Sequence, residues 1–362
     1  MGTKKYLFAA MAVAAAVGIV LRPAELSGAV RQSVAGCLEV VIPALFAFTV
    51  LAVYLQRSRL YLTAFRPLTK PLSLLLGIPE ELCAVFLLAN IGGYPVGARL
   101  LGELVSSGRL SRRDAGRMLC FCYGSGPSFV IGTAGAEVFG SAAAGGVIYA
   151  ACFMSALVIA VVVCRTGERI TLVPGEQHPV LTAECFTGSV DAGARVMYTV
   201  CCMAAAFAAV TALLDYSGLT GLISGALGLA GFGGNSDRLF PAFLEVTRVR
   251  DMLPDGMAAP VCAALLSFGG VCVVLQILAV SGGRIPVRGL LISRLPASLM
   301  SALFALPACR FAETAAEVYS PNAPEVQPFS VNAGLSVCVM VMAGMLILSA
   351  GRAGESSRKN KS

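Results

Sequence analysis

Tryptophan is missing from the 362 residues, histidine occurs once, and Asp, Glu, Lys and Arg together make up 13%. A soluble domain carries roughly 25% charged residues. So few charges cannot cover the surface of a soluble chain of this length. The single histidine, His178, sits in a Pro/Gly loop and leaves no His-based metal site. No P-loop, ATP-binding cassette or dinucleotide motif occurs, so nucleotide hydrolysis within this chain is not expected to drive its function. No basic stripe stands alone, which excludes nucleic-acid binding, and apolar runs exclude a disordered or collagen-like chain. What is present is 57% hydrophobic residues and 39 glycines. That composition fits an all-α polytopic membrane protein.

The net charge of +7 is therefore read by location rather than as affinity for an acidic partner. The 13 cysteines are mostly inside apolar runs and read as small buried hydrophobes, and Cys120 and Cys122 lack the spacing and partners of a zinc site. Lys4 and Lys5 followed by an apolar run resemble a signal peptide. With no small-x-small cleavage site leading into a soluble domain, the run reads as a retained span.

Eight windows predict transmembrane helices: Tyr6–Leu21, Val34–Leu55, Met118–Val138, Ala142–Cys164, Val196–Leu214, Ala258–Val280, Leu290–Ala308 and Phe329–Ala350. Each crosses a core of ~30 Å at ~1.5 Å per residue, some with flanking residues added. Two further stretches are interrupted: Leu82–Val105 by Gly92-Gly93-Tyr94-Pro95, and Leu219–Leu253 by Gly231, Gly233, Gly234 and a charged patch. Both read as re-entrant hairpins. With a cytoplasmic N-terminus, this topology puts 19 of the 27 Lys/Arg inside, Arg294 counted among them, and six outside. The two hairpins then enter from opposite faces and each precedes two spans, the pattern of an inverted repeat. The organisation read from the chain is 1–70, a two-span segment; 71–164, the first repeat; 165–190, a cytoplasmic linker; 191–308, the second repeat; 309–328, an extracytoplasmic loop; and 329–362, the last span with a basic cytoplasmic tail.

Four motifs could carry chemistry. In Gly92-Gly93-Tyr94-Pro95-Val96-Gly97-Ala98-Arg99, two glycines loosen the backbone and Pro95 suits the first position of a new helix. A helix starting there aims amides and its positive dipole end into the membrane, and Arg99 adds a full charge, a set that suits a carboxylate. In Tyr123-Gly124-Ser125-Gly126-Pro127-Ser128, Pro127 removes a helix hydrogen bond and a second half-helix would begin among the Ser125 and Ser128 hydroxyls. Glu245 and Thr247 lie at the tip or in the second arm of the second hairpin, where Glu245 is either a solvated loop charge or a coupling-ion ligand. Ser267, Gly269 and Gly270, followed by Gln276, put a glycine pair and a polar amide inside a span. Asp191 and Arg195, four apart, read as a structural pair.

The segments Val41–Leu55, Gly92–Arg99, Cys120–Gly135, Phe243–Thr247 and Leu266–Ala279, in that order, resemble the sporulation integral membrane proteins that carry the nucleoside-recognition "Gate" domain. The likeness covers most of the chain from about Val34. It departs at Tyr123 and Gly124, where the family usually has Asn, at Arg99, where Lys is common, and at Ile148–Ala150 and Val271–Val274, where family histidines are replaced. The resemblance implies transport of dipicolinate during sporulation. The expectation is thus a secondary transporter or facilitator of a small organic anion in the cytoplasmic membrane, with both termini cytoplasmic. It takes a proton or sodium as coupling ion, needs no cofactor and performs no enzymatic step; a homo-oligomer is compatible with it. Arg99 and Pro95 would hold the carboxylate, so Arg99→Ala is expected to abolish uptake. Nucleoside, nucleobase or ion transport, and a non-transporting scaffold in spore or envelope assembly, are the alternative readings.

Overall fold

The computed structural model describes residues 16–175, 181–232, 235–253 and 258–318, together with Tyr6 and Val13. Among these residues every regular element is helical, and five helices are long and apolar enough to cross a membrane. The chain is an all-α polytopic membrane protein. Four expected spans (Val34–Leu55, Ala142–Cys164, Val196–Leu214 and Ala258–Val280) fall within those helices, and the fifth, Leu290–Ala308, matches the spanning stretch Arg288–Leu306 to within two residues at each end. Half of Tyr6–Leu21, all of Phe329–Ala350, the basic tail and His178 lie outside the described residues.

Helix α1 (Pro23–Ser58) is 36 residues long. Its turn widens over Cys37–Val41, just before Pro43, whose ring clashes with the carbonyl four residues back in a regular helix. Helix α2 (Arg66–Leu76) lies at 108° to α3 (Glu80–Gly92). Helix α3 turns back through Gly93 into α4 (Tyr94–Ser106). Gly93 has φ +93°, which a side chain would strain, and Pro95 starts α4. Each arm has 13 residues, about 20 Å, too short to span ~30 Å. Arg109 closes the base by donating to both Glu81 oxygens at 2.6 and 2.7 Å. The two ends of this hairpin therefore share one face.

The expected span Met118–Val138 is instead two pieces. Helix α5 (Arg112–Leu119) is capped by Ser111, which accepts from the Asp114 amide. The chain then unwinds through Phe121–Gly126. Helix α6 begins at Pro127–Phe129 and continues in wide turns over Val130–Val138. Helices α7 (Ala142–Thr166) and α8 (Ala183–Tyr216) follow, then the shorter α9 (Leu219–Phe232). Helix α10 (Ser236–Leu244) ends at Glu245, and the chain returns in tight turns over Val246–Asp251. Asn235 closes this second base: it donates to the Leu253 carbonyl at 3.0 Å and accepts from the Leu253 amide at 2.7 Å. The second hairpin thus turns at Glu245, one of the two places expected for that residue, and Gly231, with φ +94°, kinks the end of α9 before its base; Gly233 and Gly234 lie outside the described residues. Helices α11 (Ala258–Phe268) and α12 (Gly270–Ser281) form a span broken at Gly269. Helix α13 (Arg288–Val318) continues past the position where the loop 309–328 was expected to begin.

The element order recurs. Long helix α1, hairpin α3/α4, broken span α5/α6 and α7 are matched by long helix α8, the Glu245 hairpin, broken span α11/α12 and α13. The two sets run in opposite senses. At one end Arg113 pairs with Glu168 at 2.9 Å. There Arg112 donates to the Arg284 carbonyl at 2.7 Å, Arg284 donates to Ser106 at 3.0 Å, and Arg57 pairs with Glu103 at 2.9 Å. That end gathers the finish of α1, α7 and α12 and the start of α5 and α13. At the other end Arg22 covers the Tyr216 ring at 4.9 Å, joining the start of α1 to the finish of α8. Serines stitch α13 to its neighbours: Ser155 donates to the Ala297 carbonyl at 2.8 Å and Ser301 to the Ala263 carbonyl at 3.1 Å. In lipid, such bonds and close packing replace the hydrophobic drive.

Candidate functional site

The broken spans meet at their breaks. An α-helix leaves its last four carbonyls unpaired and carries about −0.5 charge at that end. Here α5 and α11 both end inside the protein, and three side chains take up their carbonyls. Tyr94 donates to the Leu266 carbonyl at 2.5 Å and Tyr123 to the Phe268 carbonyl at 2.9 Å. Arg294, only 3% exposed, donates to the Ser267 carbonyl at 3.0 Å and to the Cys120 carbonyl. Its guanidinium also lies 4.4 Å from the centre of the Tyr123 ring. Two half-dipoles of about −0.5 are thus matched by one full positive charge.

Close approach at the meeting point needs glycine. A Cβ at Gly97 would lie 2.0 Å from the Cys122 carbonyl oxygen, and one at Gly269 would lie 2.0 Å from the Tyr123 hydroxyl. Asn90 braces the unwound segment by donating to the Phe86 carbonyl at 2.9 Å and the Phe121 carbonyl at 3.3 Å.

Beyond this junction lies a partly open cavity of about 520 Å³, its mouth included. Eight of the expected residues line it: Gly93, Tyr94, Pro95, Ser125, Gly126, Glu245, Thr247 and Gln276. The starts of α4 and α6 and the first turns of α12 face it, so the positive ends of the half-helices meet there. The Ser125 hydroxyl, 3% exposed and close to Tyr94, makes no hydrogen bond of good geometry. Gln276, 4% exposed, donates to the Cys272 thiol at 3.3 Å. Apolar walls come from Val41 and Leu45 of α1, Phe129 of α6, and Val200 and Ala204 of α8. A second cavity of about 620 Å³ opens beside Gly36, Arg248, Arg250 and Asp251. Val41, Phe129, Glu245 and Thr247 line both cavities.

The other expected residues stand behind the lining. Gly92 and Gly97 pack in the hairpin, Gly124 lies against Asn90, and Pro127 starts α6. Ser128 donates to the Ala44 carbonyl at 2.9 Å. Ser267, Gly269 and Gly270 form the α11/α12 break. Arg99 lines neither cavity: it pairs with Glu103 at 2.7 Å, on the same oxygen that receives Arg57. One helical turn beyond Pro95 carries Arg99 toward the hairpin base, where an acid four residues on captures it.

Arg294 was expected in an inside segment and is instead buried within α13. Its signal lay in its flanks, Leu290-Leu291-Ile292-Ser293 and Leu295, which place a charge inside an apolar run. Comparison with protein-family models, with curated proteins and with solved structures gives no match.

Proposed function

We propose that this protein is a secondary transporter or facilitator of a small organic anion, working by alternating access around the central cavity. The observation that carries the reading is the asymmetry at the helix breaks. Carbonyl ends of α5 and α11 are neutralised by Arg294, Tyr94 and Tyr123, while the amide ends of α4 and α6 face the cavity. With Glu245 protonated, the uncompensated partial charge there is positive, which favours a carboxylate. Two oppositely oriented sets of elements supply the means of exposing one site to either side. The arginine-rich end is the cytoplasmic one under the positive-inside rule. The resemblance noted above makes dipicolinate the first cargo to try.

A neutral hydrogen-bonding cargo, such as a nucleoside or nucleobase, is the second reading. It is favoured by Ser125, Thr247 and Gln276 in the lining and by the carboxyl of Glu245 beside them.

The test is uptake of radiolabelled dipicolinate and related dicarboxylates into proteoliposomes, with nucleosides in parallel. Replacing Ser125 by Val and Gln276 by Leu should lower uptake at least about tenfold, the equivalent of roughly one lost polar contact. Uptake of none of these solutes by the unsubstituted protein would favour a scaffold role instead.

A further inference from the structure

We infer that Glu245 is the proton-carrying group of the cavity, a carboxyl that is neutralised when an anion enters and gives its proton up when the anion leaves. The inference rests on the transport reading for its purpose, but the proton site itself stands on its own geometry.

Glu245 is 7% exposed at the tip of the second hairpin. Both its oxygens face Thr247: Oε1 accepts from the Thr247 amide at 3.1 Å and Oε2 accepts from the Thr247 hydroxyl at 2.5 Å. Among the described residues no Lys or Arg pairs with it. Arg248 and Arg250 line the outer cavity with it and their charges favour its carboxylate from a distance, but their ion pairs go to Asp251, at 3.5 and 3.8 Å. The titratable groups that face Glu245 from packed elements are thiols, Cys37 from α1 and Cys272 from α12, with Cys201 of α8 behind Cys37. A carboxylate buried without an ion-pair partner in contact is costly, and a proton removes that cost.

Position gives the group its use. Glu245 and Thr247 belong to the wall shared by the two cavities. The cavity beside Arg248, Arg250 and Asp251 brings water to one side of the carboxyl; the central cavity lies on the other. A negative Glu245 would repel an incoming carboxylate. Taking a proton from water forms one O–H bond on the carboxyl and removes one negative charge from the cavity. The Thr247 hydroxyl then turns from donor to acceptor. A singly charged anion and one proton thus enter together with no net charge moved.

The experiment uses the full chain in nanodiscs and infrared difference spectra between acidic and alkaline buffer. The unsubstituted protein should show the carbonyl stretch of a protonated carboxylic acid. That band should vanish in Glu245→Gln and persist in Glu137→Gln, whose acid is exposed. No solute is needed, so failure of dicarboxylate uptake would sink the transport reading without touching this one. In proteoliposomes, uptake by the unsubstituted protein should change about tenfold across its titration, and in Glu245→Gln by less than about twofold. A band that survives Glu245→Gln, an unaltered pH profile in that variant, or accumulation driven by a sodium gradient at equal pH would each overturn the proposal. Should Glu245→Gln fail to fold, Glu245→Asp replaces it. A displaced band then supports the assignment, and an unmoved one refutes it.

Discussion

Arg294 is the residue on which the junction depends, because it answers carbonyls from two different half-helices with one side chain. Replacing it by Met keeps the volume and strands those carbonyls in an apolar setting. Arg294→Met should therefore destabilise the protein by about 3 kcal/mol, measurable as a lower midpoint in thermal unfolding of detergent-solubilised protein. An unchanged midpoint would show that the carbonyls find other donors. Arg294→Lys should recover only part of the loss, since an ammonium lacks the planar fork that reaches two acceptors at once. Gly97→Ala meets the Cys122 carbonyl rather than a flexible side chain, so it should cost about as much as overpacking a core, roughly 2 kcal/mol. The expectation for Arg99 changes with its surroundings. Paired to Glu103 and outside the lining, Arg99→Ala should leave uptake within about threefold, as for a partly exposed ion pair. A complete loss would restore Arg99 as a cargo ligand.

At the scale of elements, the first hairpin is held by chemistry at its base and by conformation at its tip. The Arg109–Glu81 pair is bidentate, and Tyr61 donates to the same carboxylate. Arg109→Ala leaves Glu81 without its cation and should loosen both arms. Amide exchange in α3 and α4 should rise at least about tenfold, while α7 stays protected. Equal rates in the two proteins would mean that packing alone holds the hairpin. Much of this was legible in the chain. Gly92, Gly93 and Pro95 announce a break because only that combination permits a reversal followed by a new helix, and Pro127 marks the unwound span for the same reason. At the second hairpin the chain offers two signals, the Gly231 break and the polar Glu245-Val246-Thr247 tip, and both are used: Gly231 kinks the end of α9 and Glu245 makes the reversal. Glu245 turns the chain by accepting from Thr247 two residues later, a bond that no periodicity encodes. The Arg294 junction was hidden for a different reason. The acceptors that make the junction are main-chain carbonyls 174 and 27 residues away, and a carbonyl carries no identity in a sequence.

Across the whole molecule, the two sets of elements are related by order and sense, not by visible repetition of residues. The relation makes a directional prediction. Cysteines placed at Arg66 and at Arg113, both at the arginine-rich end, should react with impermeant thiol reagents from the same side of sealed vesicles. One placed at Arg238, beside the second hairpin's base, should react from the opposite side. Labelling of Arg66→Cys and Arg113→Cys from different sides would break the opposed arrangement. Labelling of all three from one side would do so as well.

The long reach of Arg294 also bears on how the protein is made. A guanidinium in an isolated apolar helix resists leaving the translocation channel for lipid by about 3 kcal/mol. Its two acceptors outside α13, on Cys120 and Ser267, are synthesised before that helix. When the ribosome delivers Arg294, the helices that neutralise it are already waiting. Integration of α13 is therefore a late step conditioned on the earlier breaks, and nascent chains in which either break has been straightened should stall at that point and be handed to proteolysis.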